Sequence, residues 1–134
     1  MKFKIFLEDA PTKPRIEVES HGDWNHRVFF EGYLKEEHKN FLERGRKALR
    51  GEATVDLAGD GAYINRIDAY PKGQKFGSEL LDEILKELAK RGFKTARTYI
   101  ENSNPDSKML FKKFKFKEEG YDRSHIGTYW VRNL

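Results

Sequence analysis

Tyr70-Pro71-Lys72-Gly73-Gln74-Lys75-Phe76-Gly77-Ser78 decides how the rest of this 134-residue chain is read. Before it, Ala62 to Ala69 (Ala-Tyr-Ile-Asn-Arg-Ile-Asp-Ala) reads as a strand. After it, Glu79 to Arg91 reads as a helix, with Leu80, Leu81, Ile84, Leu85 and Leu88 on one stripe. A strand, a glycine-bearing turn and a helix start make a site for phosphate. The first N–H groups of a helix have no internal partner and point outward, and glycines let that backbone approach a ligand without a Cβ between. Lys72 and Lys75 add positive charge. The turn reads as a grip on a pyrophosphate. It is not the nucleotide-hydrolase loop, since only three residues separate Gly73 from Gly77, and Gly-x-Gly-x-x-Gly is absent. On spacing alone, the same glycines would also serve a tight strand-to-helix connection.

Working outward, the two sides differ in charge. Residues 1–71 carry 12 Lys and Arg against 13 Asp and Glu, and residues 72–134 carry 14 against 9. The basic excess begins at the glycine turn, which suits an anionic partner such as a phosphorylated cofactor or a nucleic acid; a solvated lysine face is the plain alternative. There is no cysteine, so disulfides, thiolate metal sites and cysteine nucleophiles are excluded. The four histidines show no metal-ligand spacing. No apolar run has the length of a signal or membrane-spanning segment, so a cytoplasmic protein is expected. The size suits a single domain over residues 1–134.

Upstream, Lys2 to Glu8, Arg15 to Glu19 and Trp24 to Leu34 alternate as strands, with turns at Asp9–Pro14 and Ser20–Asp23. Lys35 to Arg50 reads as a helix, since Leu34, His38, Phe41, Leu42, Ala48 and Leu49 recur near helical spacing; Gly51 ends it, Gly45 lies inside it, and His38 is a packed residue on its apolar face. Glu52 to Leu57 is a short strand, and Ala58-Gly59-Asp60-Gly61 a hairpin into Ala62 to Ala69. Downstream, Lys94 to Glu101 is a strand reached by a helical crossover, and so parallel to Ala62–Ala69. Asn104-Pro105 starts a short helix to about Lys113. Phe114 to Glu119 and Gly127 to Leu134 form a last antiparallel pair.

From Ala62 to Phe116 this order resembles the GNAT family of N-acetyltransferases. Ile67 to Ser78 is similar to that family's strand end and Arg/Gln-x-x-Gly-x-Gly/Ala turn, with Lys72 at the first position and Gly77 at the last. Glu101-Asn102-Ser103-Asn104 matches the end of the next strand, and Met109 to Phe116 the stretch that usually reads Leu-Tyr-x-x-x-Gly-Phe. The match covers about two fifths of the chain, and its order and spacing are more specific than any single motif. Lys75 replaces the middle glycine, Lys115 replaces the glycine before Phe116, and Phe111 stands where the family has a tyrosine that protonates the departing thiolate of CoA. A phenyl ring has no proton to donate.

The resemblance implies an α/β fold of mixed α+β type. Its central sheet is mixed and mostly antiparallel, flanked by about three helices, with one parallel strand pair splayed for CoA. It implies acetyl transfer from acetyl-CoA to an amine, on a small molecule or a protein. Ile67, Ala69, Lys72, Gly73, Gln74, Lys75, Phe76, Gly77, Ser78, Asn104 and Phe111 would hold the cofactor. Asp68 and Glu101 are the candidate bases, with His125 a weaker one, and Tyr99 or Tyr70 is the candidate acid. Each has a plain counterpart: Asp68 as a solvated strand residue, Asn104 as a helix cap, Tyr99 as packing. Two other readings stand beside this one. A CoA-binding module with weak or no catalysis is motivated by Phe111. A nucleic-acid binder using the basic second half ranks last, because no recognised nucleic-acid motif is present. The acceptor amine is not legible, and the oligomeric state is open, a homodimer included.

Overall fold

A computed structural model describes residues 15–24, 26–121 and 123–134. The expected strand at Lys2–Glu8 and the turn at Asp9–Pro14 lie outside these. Seven strands form one sheet: β1 (Ile16–Trp24), β2 (Arg27–Leu34), β3 (Leu49–Ala58), β4 (Gly61–Ala69), β5 (Thr95–Glu101), β6 (Lys117–Tyr121) and β7 (Gly127–Asn133). Their order is β1-β2-β3-β4-β5-β7-β6. Every neighbouring pair is antiparallel except β4 and β5, which are parallel. The helices are α1 (Phe76–Lys90) and α2 (Pro105–Lys113). Among the described residues, no helix is long and apolar enough to cross a membrane.

The core lies between α1, α2 and one face of the sheet. Leu80, Leu81, Ile84, Leu85 and Leu88 of α1 are buried against Val28, Phe30, Val55 and Ile64. Their i, i+3, i+4 spacing fits the alternating inward residues of the strands. Where α1 crosses the sheet, Gly32, Gly51 and Ala69 stand in one cross-strand row. A Cβ on Gly51 would come 3.0 Å from a methyl of Leu80 and 3.1 Å from the carbonyl oxygen of Asp68. The small residues let the helix approach closely.

That packing corrects one expectation. Lys35 to Arg50 is not a helix. Glu36–His38 forms a single 3-10 turn, further turns follow, and β3 begins at Leu49. Among the described residues two α-helices therefore flank the sheet, where about three were expected. Phe41 and Leu42, two of the residues that suggested the helix, are 84% and 73% exposed, so the stripe they would form is not buried against the sheet. Gly45 adopts a φ of +80°, and Gly51 is a strand residue, not a helix stop. His38 is exposed instead of packed. The first hairpin also moves. β1 runs through Ser20–Asp23 with an irregularity between His21 and Trp24, and the chain reverses before Arg27.

Candidate active site

β4 and β5 pair over only four residues each, Gly61 to Ile64 against Thr95 to Thr98. Beyond Ile64 the ladder stops, and the two strands part although both continue. Two features fix this fork. First, Thr54 pairs with Arg66 while Val55 pairs with Ile64, so Asn65 is an extra residue, a β-bulge. Asn65 and Arg66 are both exposed, and the buried alternation shifts from Ala62 and Ile64 to Ile67 and Ala69. The Asn65 side-chain amide donates to the Asp56 carboxylate, which also accepts from Arg27. Second, the hydroxyl of Thr98, 4% exposed, donates to the Ile64 carbonyl oxygen at 2.9 Å. It fastens the two strands at the last shared rung.

Two clefts open from the fork. The first, about 480 Å³, lies in front of α1. It is lined by Ile67, Asp68 and Ala69 of β4, by Lys72, Gly73, Lys75, Phe76, Gly77 and Ser78 of the turn and helix front, and by Asn104, Ser107 and Leu110 of α2. Gly73 has a φ of +82° and Lys75 a φ of +64°. The second is a position for which glycine is easiest, and lysine occupies it at some strain. The first α1 hydrogen bond runs from the Glu79 amide to the Lys75 carbonyl. The amides of Phe76, Gly77 and Ser78 thus precede the helix ladder and donate to no backbone carbonyl among the described residues. Lys72 and Lys75 form no ion pair among the described residues, and Lys113 reaches across from α2 to lie 3.4 Å from the Ser78 hydroxyl. The cleft has room, unpaired donors and positive charge.

The second cleft, about 390 Å³, passes between the parted strands. Asp68, Tyr99, Glu101 and Phe111 all line it, and Ile67, Asp68, Asn104 and Ser107 are common to both clefts. The expected bases and acid thus share one space. Asp68 and Glu101 are exposed, and Arg66 lies 3.0 Å from Asp68. The Tyr99 ring is edge-on to Tyr129 with centroids 5.0 Å apart. A Cβ on Gly127 would come 2.5 Å from the Tyr99 ring, so only glycine lets that ring lie where it does. Tyr63, on the same face, has its phenol pushed upward, chiefly by burial and then by Tyr129 and Asp56. Phe111 is 2% exposed and packs edge-on to Phe116 at 5.0 Å.

The Asn104 side chain accepts from the Ser107 amide as the α2 cap, and the residue lines both clefts. Gln74 alone of the expected cofactor residues lines neither cleft; it is exposed in the same turn. Tyr70 is 41% exposed at the end of β4, and His125 lies in the loop before β7. Ser107, Leu110 and Asn65 were not anticipated. The i, i+3, i+4 spacing of Ser107, Leu110 and Phe111 on one helical face was the signal for the first two; a bulge at Asn65 has no such signature.

No protein-family model matches the chain, and no curated protein matches it. Solved structures do. The PaiA N-acetyltransferase from Thermoplasma acidophilum, in complex with coenzyme A, matches with a TM-score of 0.67 and 20% identity, over 81% of this chain and 62% of that one. A domain from Methanocaldococcus jannaschii matches with a TM-score of 0.69 and 21% identity, over 100% and 77%. A Bacillus subtilis acetyltransferase in complex with CoA matches with a TM-score of 0.68 and 12% identity, over 89% and 99%. The chain thus spans about three fifths of the length of the Thermoplasma enzyme. At such identities the likeness is one of architecture: the chain has the fold of the GNAT N-acetyltransferases.

Proposed function

We propose that this chain binds acetyl-CoA across the fork and transfers the acetyl group to an amine. One observation carries the reading: the cleft in front of α1, with its unpaired amides, adjoins the cleft between the parted edges of β4 and β5, where Asp68, Tyr99 and Glu101 stand, and the two share Ile67, Asp68, Asn104 and Ser107. The residues fit the group. Amides of Phe76, Gly77 and Ser78, with Lys72 and Lys75, would hold a diphosphate. The free edge of β4 beyond Ile64 would pair with the amides of a pantetheine arm, as an added strand pairs with a sheet.

Acetyl-CoA supplies an acyl group activated as a thioester. Backbone donors of β4 would hold the acyl carbonyl while the amine forms its amide bond and the carbon–sulfur bond breaks, releasing the thiolate of CoA. An ammonium cannot attack until it loses a proton, and Asp68 or Glu101 takes it, directly or through water, at a carboxylate oxygen. Tyr99 is the hydroxyl donor nearest in kind to the missing family tyrosine. Native mass spectrometry and a thermal shift with acetyl-CoA test the binding; thiol release over an amine panel tests the chemistry. No mass adduct and no shift with either CoA or acetyl-CoA would end the proposal.

A second reading is favoured by Phe111. Its ring is packed on Phe116 and carries no proton donor. Tight CoA binding with no thiol release on any amine would select a binding module over an enzyme.

A further inference from the structure

The two most exposed large apolar side chains among the described residues are neighbours in sequence. Phe41 is 84% exposed and Leu42 73%. They form the tip of the β2–β3 connection, residues 35–48. Water drives such residues inward; here a polar network holds them out. The Asn40 side chain accepts from the Glu43 amide at 3.0 Å, and the Glu43 carboxylate accepts from the Asn40 amide at 3.4 Å. That reciprocal pair, built like a capping box, closes the turn that carries both apolar residues. Glu43 also holds the Arg50 guanidinium. Gly45, at a φ of +80°, donates its amide to Glu36 at 3.2 Å. The Lys39 ammonium pairs with Glu36 and donates to the Arg46 carbonyl, and Arg46 donates to the Leu42 carbonyl. An apolar pair braced outward in this way marks an interaction surface.

The charge around the tip names the partner. Residues 35–50 carry six Lys and Arg against three Glu. Glu36 and Glu43 are held by Lys39 and Arg50. Arg44 and Arg46 are exposed beside the tip, with no carboxylate within ion-pair distance among the described residues. A second copy of the tip would bring like charges together. Two apolar side chains also fall far short of the roughly 800 Å² per partner that a stable protein interface buries. A lipid surface asks for neither a large area nor a complementary shape. Apolar tip residues enter the acyl boundary, and cations meet the headgroup phosphates.

We propose that the Phe41–Leu42 tip inserts into the surface of an anionic phospholipid bilayer, with Arg44 and Arg46 on the headgroups. Such a loop lies on the membrane and needs no spanning helix. The chain leaves it through β3, where Gly51 pairs with Ala69 of β4 and the Arg50 carbonyl accepts from the Tyr70 amide at 2.9 Å. The tip therefore rises from the end of the sheet that carries the glycine turn, and docking holds that end near the bilayer. The attachment is independent of acetyl transfer.

The test is co-sedimentation of the whole protein with vesicles of phosphatidylcholine alone and of phosphatidylcholine with about one third phosphatidylglycerol. Binding is expected on the anionic vesicles and at least tenfold weaker on the neutral ones. Phe41→Ser/Leu42→Ser lowers partitioning onto the anionic vesicles at least tenfold. Its melting temperature stays near the parent value, because neither side chain is buried. Arg44→Gln lowers partitioning about fivefold, the loss of one cation at the surface. In Phe41→Trp, anionic vesicles shift the emission to the blue, and brominated acyl chains quench it more than in the parent. No sedimentation with anionic vesicles, unchanged partitioning in the serine variant, or no blue shift in Phe41→Trp overturns the proposal. Sedimentation velocity decides the remaining case. A parent that self-associates, with a serine variant that does not and no vesicle binding by either, assigns the tip to a second copy and also overturns it.

Discussion

Replacing Thr98 by valine tests the point at which the sheet forks. The change is close to isosteric, so it removes a hydroxyl without opening a cavity. The lost hydrogen bond is 2.9 Å long and buried, donated to the Ile64 carbonyl oxygen beside the bulge. A buried bond of this kind contributes about 0.5–1.5 kcal/mol net, and the acceptor left behind adds a desolvation cost, so about 1–2 kcal/mol of stability is lost. For a domain of this size that lowers the melting temperature by about 4–8 °C. Thr98→Ser keeps the donor and loses only a methyl group, so it should lie between parent and valine. Differential scanning calorimetry reads the melting shift, and amide exchange at Asn65 and Tyr99 reads whether the fork lengthens. A valine variant that melts within a degree of the parent, with unchanged exchange at both amides, would refute the idea that this hydroxyl fastens the strands.

Three more outcomes follow from the geometry. Gly127→Ala forces its Cβ against the Tyr99 ring and the Ile100 carbonyl; overpacking of this kind costs about 1–3 kcal/mol, and the measured loss should shrink in the Tyr99→Ala background. Asp56 is held below the usual carboxylate range by Arg27 and then Asn65. Its contribution is therefore present above the unfolded carboxylate value and lost as pH falls through the depressed folded one; Asp56→Asn should flatten that acid limb of the stability curve. Phe111→Tyr returns a proton donor to the cleft, and turnover on an accepted amine should rise, by as much as about a hundredfold if acid catalysis is limiting; equal rates would place the acid elsewhere.

The corner between β4 and α1 was legible because local chemistry dictates it. Glycine at Gly73, lysines at Lys72 and Lys75 and the leucine stripe of α1 each act within a few residues. The parallel pairing of β4 and β5 followed from the helical crossover between them. Lys35–Arg50 misled because its apparent stripe drew on Leu34 and Leu49, which belong to β2 and β3, while Phe41 and Leu42 between them face solvent. Gly51 carries the same lesson: a glycine after an apolar run can be a helix stop or a place where a helix crosses a sheet, and only the Leu80 contact separates the two. The bulge at Asn65 depends on a register across two strands, which no single stretch encodes.

Among the described residues, four shared rungs, Gly61–Ile64 with Thr95–Thr98, make up the whole backbone ladder between the first four strands and the last three. The described sheet is thus two slabs meeting along a short seam, with α1 packed on the first of them. So short a seam leaves the open ends of β4 and β5 to be bridged by whatever lies between them. An elongated guest lying there would act as cross-bracing, so protection of core amides in both slabs should climb together as the guest is added.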